Sequence, residues 1–190
     1  MAREVLFVHS AGPQGEHHGS DDFVRLLRAG LGDAYELRAP LMPAPDEPRY
    51  AAWAAHLDAV AGGATLLVGH SLGGSVLVKW LCETARRDAL AGLFLVATPF
   101  WGPDMPEWAL RGDFAARLPP IARLFLYHSR DDDGVPFRHL ARYARALPRA
   151  TVRELDGYGH LFDRPFPELV ADIEGSAQAY SSAMPGRKLT

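Results

Sequence analysis

The stretch LLVGHSLGGSV (66–76) carries an apolar run straight into a serine bracketed by glycines. The run 64–69 reads as a strand covered on both faces, and a helical period begins at Gly74. Ser71 therefore falls at a strand-to-helix turn. A serine held there in a strained backbone conformation would project its hydroxyl beyond the sheet. Crowding two residues to either side would then require glycine at positions 69 and 73. The N–H groups opening the helix, that of Leu72 first, would point at an oxyanion formed beside the serine. The competing reading is a turn with glycines for packing alone. A phosphate-holding turn is disfavoured, because GHSLGG lacks both the G-x-G-x-x-G spacing and a P-loop lysine.

Short apolar runs recur on both sides of this turn: EVLFVH (4–9), YELRAP (35–40), ATLLVG (64–69), GLFLVAT (92–98), RLFLYHS (123–129) and ATVREL (150–155). Four are apolar on both faces, as in strands covered by helices on each side of a parallel sheet. The second and sixth alternate more, which suits sheet edges. Helix-period segments lie between them at 21–29, 50–61, 74–87, 137–147 and 167–175 or a little beyond. Ser20, Asp21 and Asp22 offer caps to the first, while Pro165 or Pro167 can open the last and Gly175 can close it. The alternation predicts an α/β fold: a doubly wound, mostly parallel sheet of about six strands with helices on both faces. A proline-rich loop (39–48) and an aromatic-rich segment (99–114) stay irregular, and the latter is expected over the sheet edge. One domain is expected over 1–176, followed by a polar, frayed tail at 177–190, with no insertion long enough for a lid domain.

Bulk properties narrow the function classes. At 190 residues, with 48% hydrophobic and 23% charged residues, the chain suits a single soluble domain with a large core. A net charge of −3 and scattered arginines argue against a nucleic-acid partner. No apolar run approaches the roughly 18 residues of a membrane span, and the N-terminal run is too short for a signal-peptide core. Cys82 is the single cysteine, so no intrachain disulfide can form, and a cytoplasmic location is expected.

A serine nucleophile needs a base and a carboxylate to orient it, in the chain order Ser, acid, His for a sheet of this type. His160, in the Gly-rich DGYGHLF that follows the sixth run, is the candidate base. His139 falls inside a helical segment and His128 inside a strand, where a satisfied core histidine is the more common outcome. Three aspartates end the fifth run in YHSRDDDGVP, and local spacing leaves both Asp132 and Asp131 open as the acid. The loop VHSAGPQG can turn a second backbone N–H towards the serine, from Ala11 or alternatively Ser10. His17 and His18 lack partners at ligand spacing, so neither metal nor cofactor is expected. His9, Ser10, His70, Phe100, Trp101 and Trp108 are candidate pocket residues.

VHSAGPQGEHHG, GHSLGG, VATPFWG, HSRDDDGVPF and DGYGHLF together resemble the small, lidless α/β hydrolases. They resemble most the serine hydrolases grouped with retinoblastoma-binding protein nine and its bacterial YdeN-like relatives. The resemblance spans Val5 to about Glu174. It implies Ser71 as nucleophile, His160 as base and Asp132, the aspartate preceding xxVP, as acid, with an oxyanion N–H from the first loop. One departure is His9-Ser10, where many superfamily members read His-Gly.

The expected activity is cofactor-free hydrolysis of esters or related acyl compounds. If Phe100, Trp101 and Trp108 rim a shallow pocket, small to medium acyl groups are favoured. Thioesterase, peptidase and acyltransferase activities share this machinery. A protein-interaction module on a hydrolase fold is a further alternative, although no protein partner is indicated.

Overall fold

In the computed structural model, which describes residues 2–84 and 88–183, alternating strands and helices build one sheet of six strands. The strands are β1 (Arg3–Val8), β2 (Tyr35–Arg38), β3 (Leu66–His70), β4 (Gly92–Val96), β5 (Leu124–Ser129) and β6 (Thr151–Leu155). Their order is β2-β1-β3-β4-β5-β6 and every pairing is parallel. The two runs with alternating character are the two edges, as read from the sequence. β3 and β4 are buried at every position, which a strand flanked by helices on both faces requires.

The helices are α1 (Asp21–Leu31), α2 (Tyr50–Val60), α3 (Leu72–Glu83), α4 (Phe114–Arg117), α5 (Arg138–Ala146) and α6 (Pro167–Ala183). Alternate strand residues feed two cores. Val5 and Phe7 of β1 face α1 and α6, whereas Leu6 and Val8 face α2, α3 and α5. Among the described residues, no helix is long and apolar enough to cross a membrane.

Two expectations are corrected. α6 does not stop near Gly175: Leu169, Ile173, Ala177 and Tyr180 form one buried stripe, and the helix runs to Ala183. Only 184–190 of the expected tail lies outside the described residues, as do 85–87 at the end of the third helical segment. The segment 99–114 does not cover a sheet edge. Pro99 accepts hydrogen bonds from Ser75 on α3 and Tyr143 on α5, and Lys79 of α3 donates to the Ala109 carbonyl. The segment therefore crosses the outer face of α3, and its last residue opens the short helix α4.

Candidate active site

Ser71 occupies the turn between β3 and α3 with φ 52° and ψ −122°, a conformation that side-chain-bearing residues rarely adopt. Its neighbours show why the turn needs glycine. A Cβ on Gly73 would lie 2.2 Å from the Val8 carbonyl oxygen, and one on Gly69 would lie 2.5 Å from Gly74 Cα. Both clashes are with backbone, which cannot swing aside. Ser71 N–H is itself spent on the Val96 carbonyl at 2.9 Å, locking the turn to β4.

All strands being parallel, the loops that follow β5 and β6 leave the same end of the sheet as this turn and reach back past β4 to it. His160 Nε2 stands 3.0 Å from Ser71 Oγ, and His160 Nδ1 stands 3.0 Å from both oxygens of Asp132. A carboxylate accepts only, so Nδ1 carries the proton and Nε2 is free to take one from the serine hydroxyl. A serine bonded to such a nitrogen, itself oriented by a carboxylate, can be activated for attack. The ring of His160 rests against Gly134, where a Cβ would lie 2.8 Å from its Cγ.

The Asp132 side chain is fully enclosed. Burial raises the pKa of a carboxyl, but hydrogen bonds from His128, His160 and the Val135 N–H outweigh it and hold Asp132 well below the usual range. Asp131, the other candidate, points elsewhere. Its Oδ1 accepts from the Ser129 hydroxyl, from Gly157 N–H at 2.9 Å and from Gly159 N–H at 3.4 Å, so it ties down the loop that carries His160.

Leu72 N–H opens α3 beside Ser71, two residues before the helical period read from the sequence. In the first loop, Ser10 N–H donates to Ser20 Oγ at 3.0 Å and Gly12 N–H to the Pro45 carbonyl at 2.8 Å. Between them, Ala11 N–H has no protein partner among the described residues. Ser10 is thereby removed as a backbone donor to the site. Ser20, which the sequence suggests as a helix cap, makes no cap bond: its hydroxyl bonds His70 Nδ1 at 2.8 Å.

The expected pocket residues divide. His70 has no exposed surface, and its Nε2 donates to the His160 backbone carbonyl at 2.8 Å. Burial, with His160 adding to it, pushes the His70 pKa down to about 3 against the pull of that carbonyl and Asp132. Trp108 is 5% exposed and packs edge-on against Tyr50 and Trp53. Neither can line a pocket, because both are consumed by internal contacts. His9 and Ser10 are also nearly enclosed. Phe100 and Trp101 keep partial exposure, and Trp101 Nε1 donates to Ser75 Oγ at 3.1 Å. An open hollow of about 260 Å³ borders His160, lined by Tyr158, Leu161, Asp131, Asp133 and Asp163 among others.

Comparison with known proteins bears on the family and the fold. The sequence model of the serine hydrolase family matches residues 28–164. No curated protein sequence matches significantly. Among solved structures, the ydeN gene product of B. subtilis is similar with a TM-score of 0.76 at 22% identity, over 93% of this chain and 100% of that one. A meta-cleavage product hydrolase from Pseudomonas fluorescens IP01 is similar with a TM-score of 0.71 at 14% identity, over 96% and 92% of the two chains. Est1E from Butyrivibrio proteoclasticus gives 0.70 at 12%, over 96% and 89%. These likenesses establish the α/β-hydrolase fold.

Proposed function

The chain belongs to the serine hydrolase family, and from that premise we propose that it cleaves esters or related acyl compounds of small to medium size. Ser71 is the nucleophile, His160 the general base and Asp132 the residue that orients and stabilises the imidazolium. The observation that carries this reading is the continuous path from Asp132 through both ring nitrogens of His160 to Ser71 Oγ, each step 3.0 Å.

In the first half-reaction, Ser71 Oγ attacks the acyl carbon while its proton passes to His160 Nε2. The negative charge that develops on the carbonyl oxygen is received by the N–H groups of Leu72 and Ala11. His160 then gives its proton to the leaving alcohol as the ester C–O bond breaks, and the acyl-enzyme remains. Water, deprotonated by His160, repeats the attack and releases the acid. Phe100 and Trp101 are the candidate wall of the acyl site, since both retain exposed aromatic surface.

The test is hydrolysis of p-nitrophenyl esters from acetyl to dodecanoyl by the wild type, Ser71→Ala and His160→Ala. Turnover with a preference for shorter chains, reduced on the order of 10⁴-fold in both variants, is expected. Hydrolysis that survives in Ser71→Ala, or a folded wild type inert towards every ester and thioester, would overturn the proposal.

A further inference from the structure

The carboxylate of Asp132 is held by two histidines, and the mechanism above uses only one. His128, on β5, is 1% exposed. Its Nε2 lies 3.0 Å from Asp132 Oδ2 and 2.8 Å from the Val135 carbonyl oxygen. Neither neighbour has a proton to give, so Nε2 carries the hydrogen and divides it between them. The other carboxylate oxygen, Oδ1, receives the N–H of Gly134 at 2.9 Å and that of Val135 at 2.7 Å. Among the described residues, His128 is therefore the donor that anchors Oδ2 apart from His160 itself.

The two oxygens and Cγ define the carboxylate plane. The terminal torsion carries both oxygens and has only a broad, shallow preference, so the backbone bonds to Oδ1 and the His128 bond to Oδ2 set it jointly, and without the second the carboxylate could turn further. Its lone pairs would then turn away from His160 Nδ1. We propose that His128 is a positioning residue: by donating to Asp132 Oδ2 it fixes the carboxylate plane, and through it the direction in which His160 Nε2 faces Ser71.

Three surroundings support this role. Val135 closes the loop from both sides, giving its N–H to Asp132 and its carbonyl to His128. The His128 ring is clamped edge-on by Phe137 at 5.6 Å, and the Arg130 guanidinium covers Phe137 at 5.2 Å. Filling a buried strand position also requires no polar ring. An apolar side chain would avoid the desolvation that imidazole incurs, so the bond to Asp132 gives the histidine its physical reason.

The effect of His128 on rate presupposes the acyl-hydrolase reading, whereas its effect on the proton between His160 and Asp132 does not. Three substitutions separate the possibilities. His128→Gln places an amide N–H close to the position of Nε2, His128→Asn falls short of Asp132, and His128→Leu removes the donor. Each is measured for kcat on an aryl ester and for the downfield proton resonance of His160 Nδ1–H, identified by its loss in His160→Ala. The Gln variant is expected to keep the resonance and a kcat within about threefold of wild type. The Asn and Leu variants are expected to broaden or lose the resonance and to lower kcat on the order of 10- to 100-fold, with KM little changed. If Leu does not fold, the Gln–Asn pair decides. Folded Asn or Leu variants with the wild-type resonance and rate, or a Gln variant as impaired as Asn, would overturn the assignment. A wild type that shows this resonance pattern but hydrolyses no ester would support the positioning role and remove the acyl-hydrolase reading.

Discussion

His70 donates from Nε2 to the backbone carbonyl of His160, 2.8 Å away across 90 residues of sequence. Its other nitrogen takes the hydrogen of Ser20, whose oxygen also accepts the backbone N–H of Ser10. One buried ring thus joins the loop after β1, which carries Ala11, to the loop after β6, which carries His160. Both loops must hold still for Ser71 to be served from two directions, and a shared anchor gives them a common reference.

That anchor works only while His70 is neutral. Its pKa is pushed down to about 3 in the folded protein, against ~6.5 in an unfolded chain. Between those values the unfolded chain binds the extra proton, so stability falls as pH drops through that window. His70 alone is expected to make the protein about 2 kcal/mol less stable at pH 5 than at pH 7. His9 and His139, also lowered chiefly by burial, act in the same direction. The depressed Asp132 loses its contribution only at pH below the ordinary carboxylate range, outside this comparison. Urea unfolding at both pH values should show the difference shrink in His70→Gln, which keeps a donor but cannot charge. An unchanged difference in that variant would exclude His70 as its source.

The elbow makes a sharp steric prediction. Gly73→Ala should destabilise by about 3 kcal/mol or more, because its Cβ would meet backbone oxygen on two sides. Gly112→Ala, where a Cβ meets nothing within 4 Å, should stay within about 0.5 kcal/mol of wild type. Thermal melts of the two variants compare them directly. Equal melting temperatures would refute the steric account.

The adjacent aspartates should separate cleanly. Asp132→Asn is expected to reduce kcat on the order of 10⁴-fold by disturbing the His160 tautomer. Asp131→Asn, which touches Ser129 and the glycines of the His160 loop, should cost no more than about tenfold. Steady-state kinetics on one ester decides, and a larger loss in Asp131→Asn would reverse the assignment.

The two tryptophans of 99–114 should also part company. Trp108→Ala removes a side chain packed against Tyr50 and Trp53 and is expected to lower stability by about 3–5 kcal/mol. Trp101→Ala should disturb stability less and change the ratio of kcat/KM between short and long acyl chains. Unchanged chain-length ratios in Trp101→Ala would take Trp101 out of the acyl site.

Much of this was legible in the chain because the relevant signals are local. Runs such as GLFLVAT announce buried strands through continuous apolar character, and GHSLG announces its turn through glycines that sterics demand. The parts that local sequence does not show depend on contacts distant in sequence. No neighbour of His128 or His70 marks its bond to a particular partner, and Ser20 reads as a cap although its hydroxyl serves His70. Trp108 sits in an irregular aromatic-rich stretch and reads as a pocket candidate, yet α2 receives it. The end of α6 had a usable signal: Ala177 and Tyr180 continue the spacing of Leu169 and Ile173, and that stripe outweighs one glycine.

The central claim is that Ser71 is an activated nucleophile, and covalent labelling by a fluorophosphonate, read by intact mass, tests it most directly. One adduct per chain on the wild type, mapped to Ser71 and lost in folded Ser71→Ala and His160→Ala, is the predicted result. A folded wild type that takes up no label, or an adduct that persists in Ser71→Ala, would contradict it.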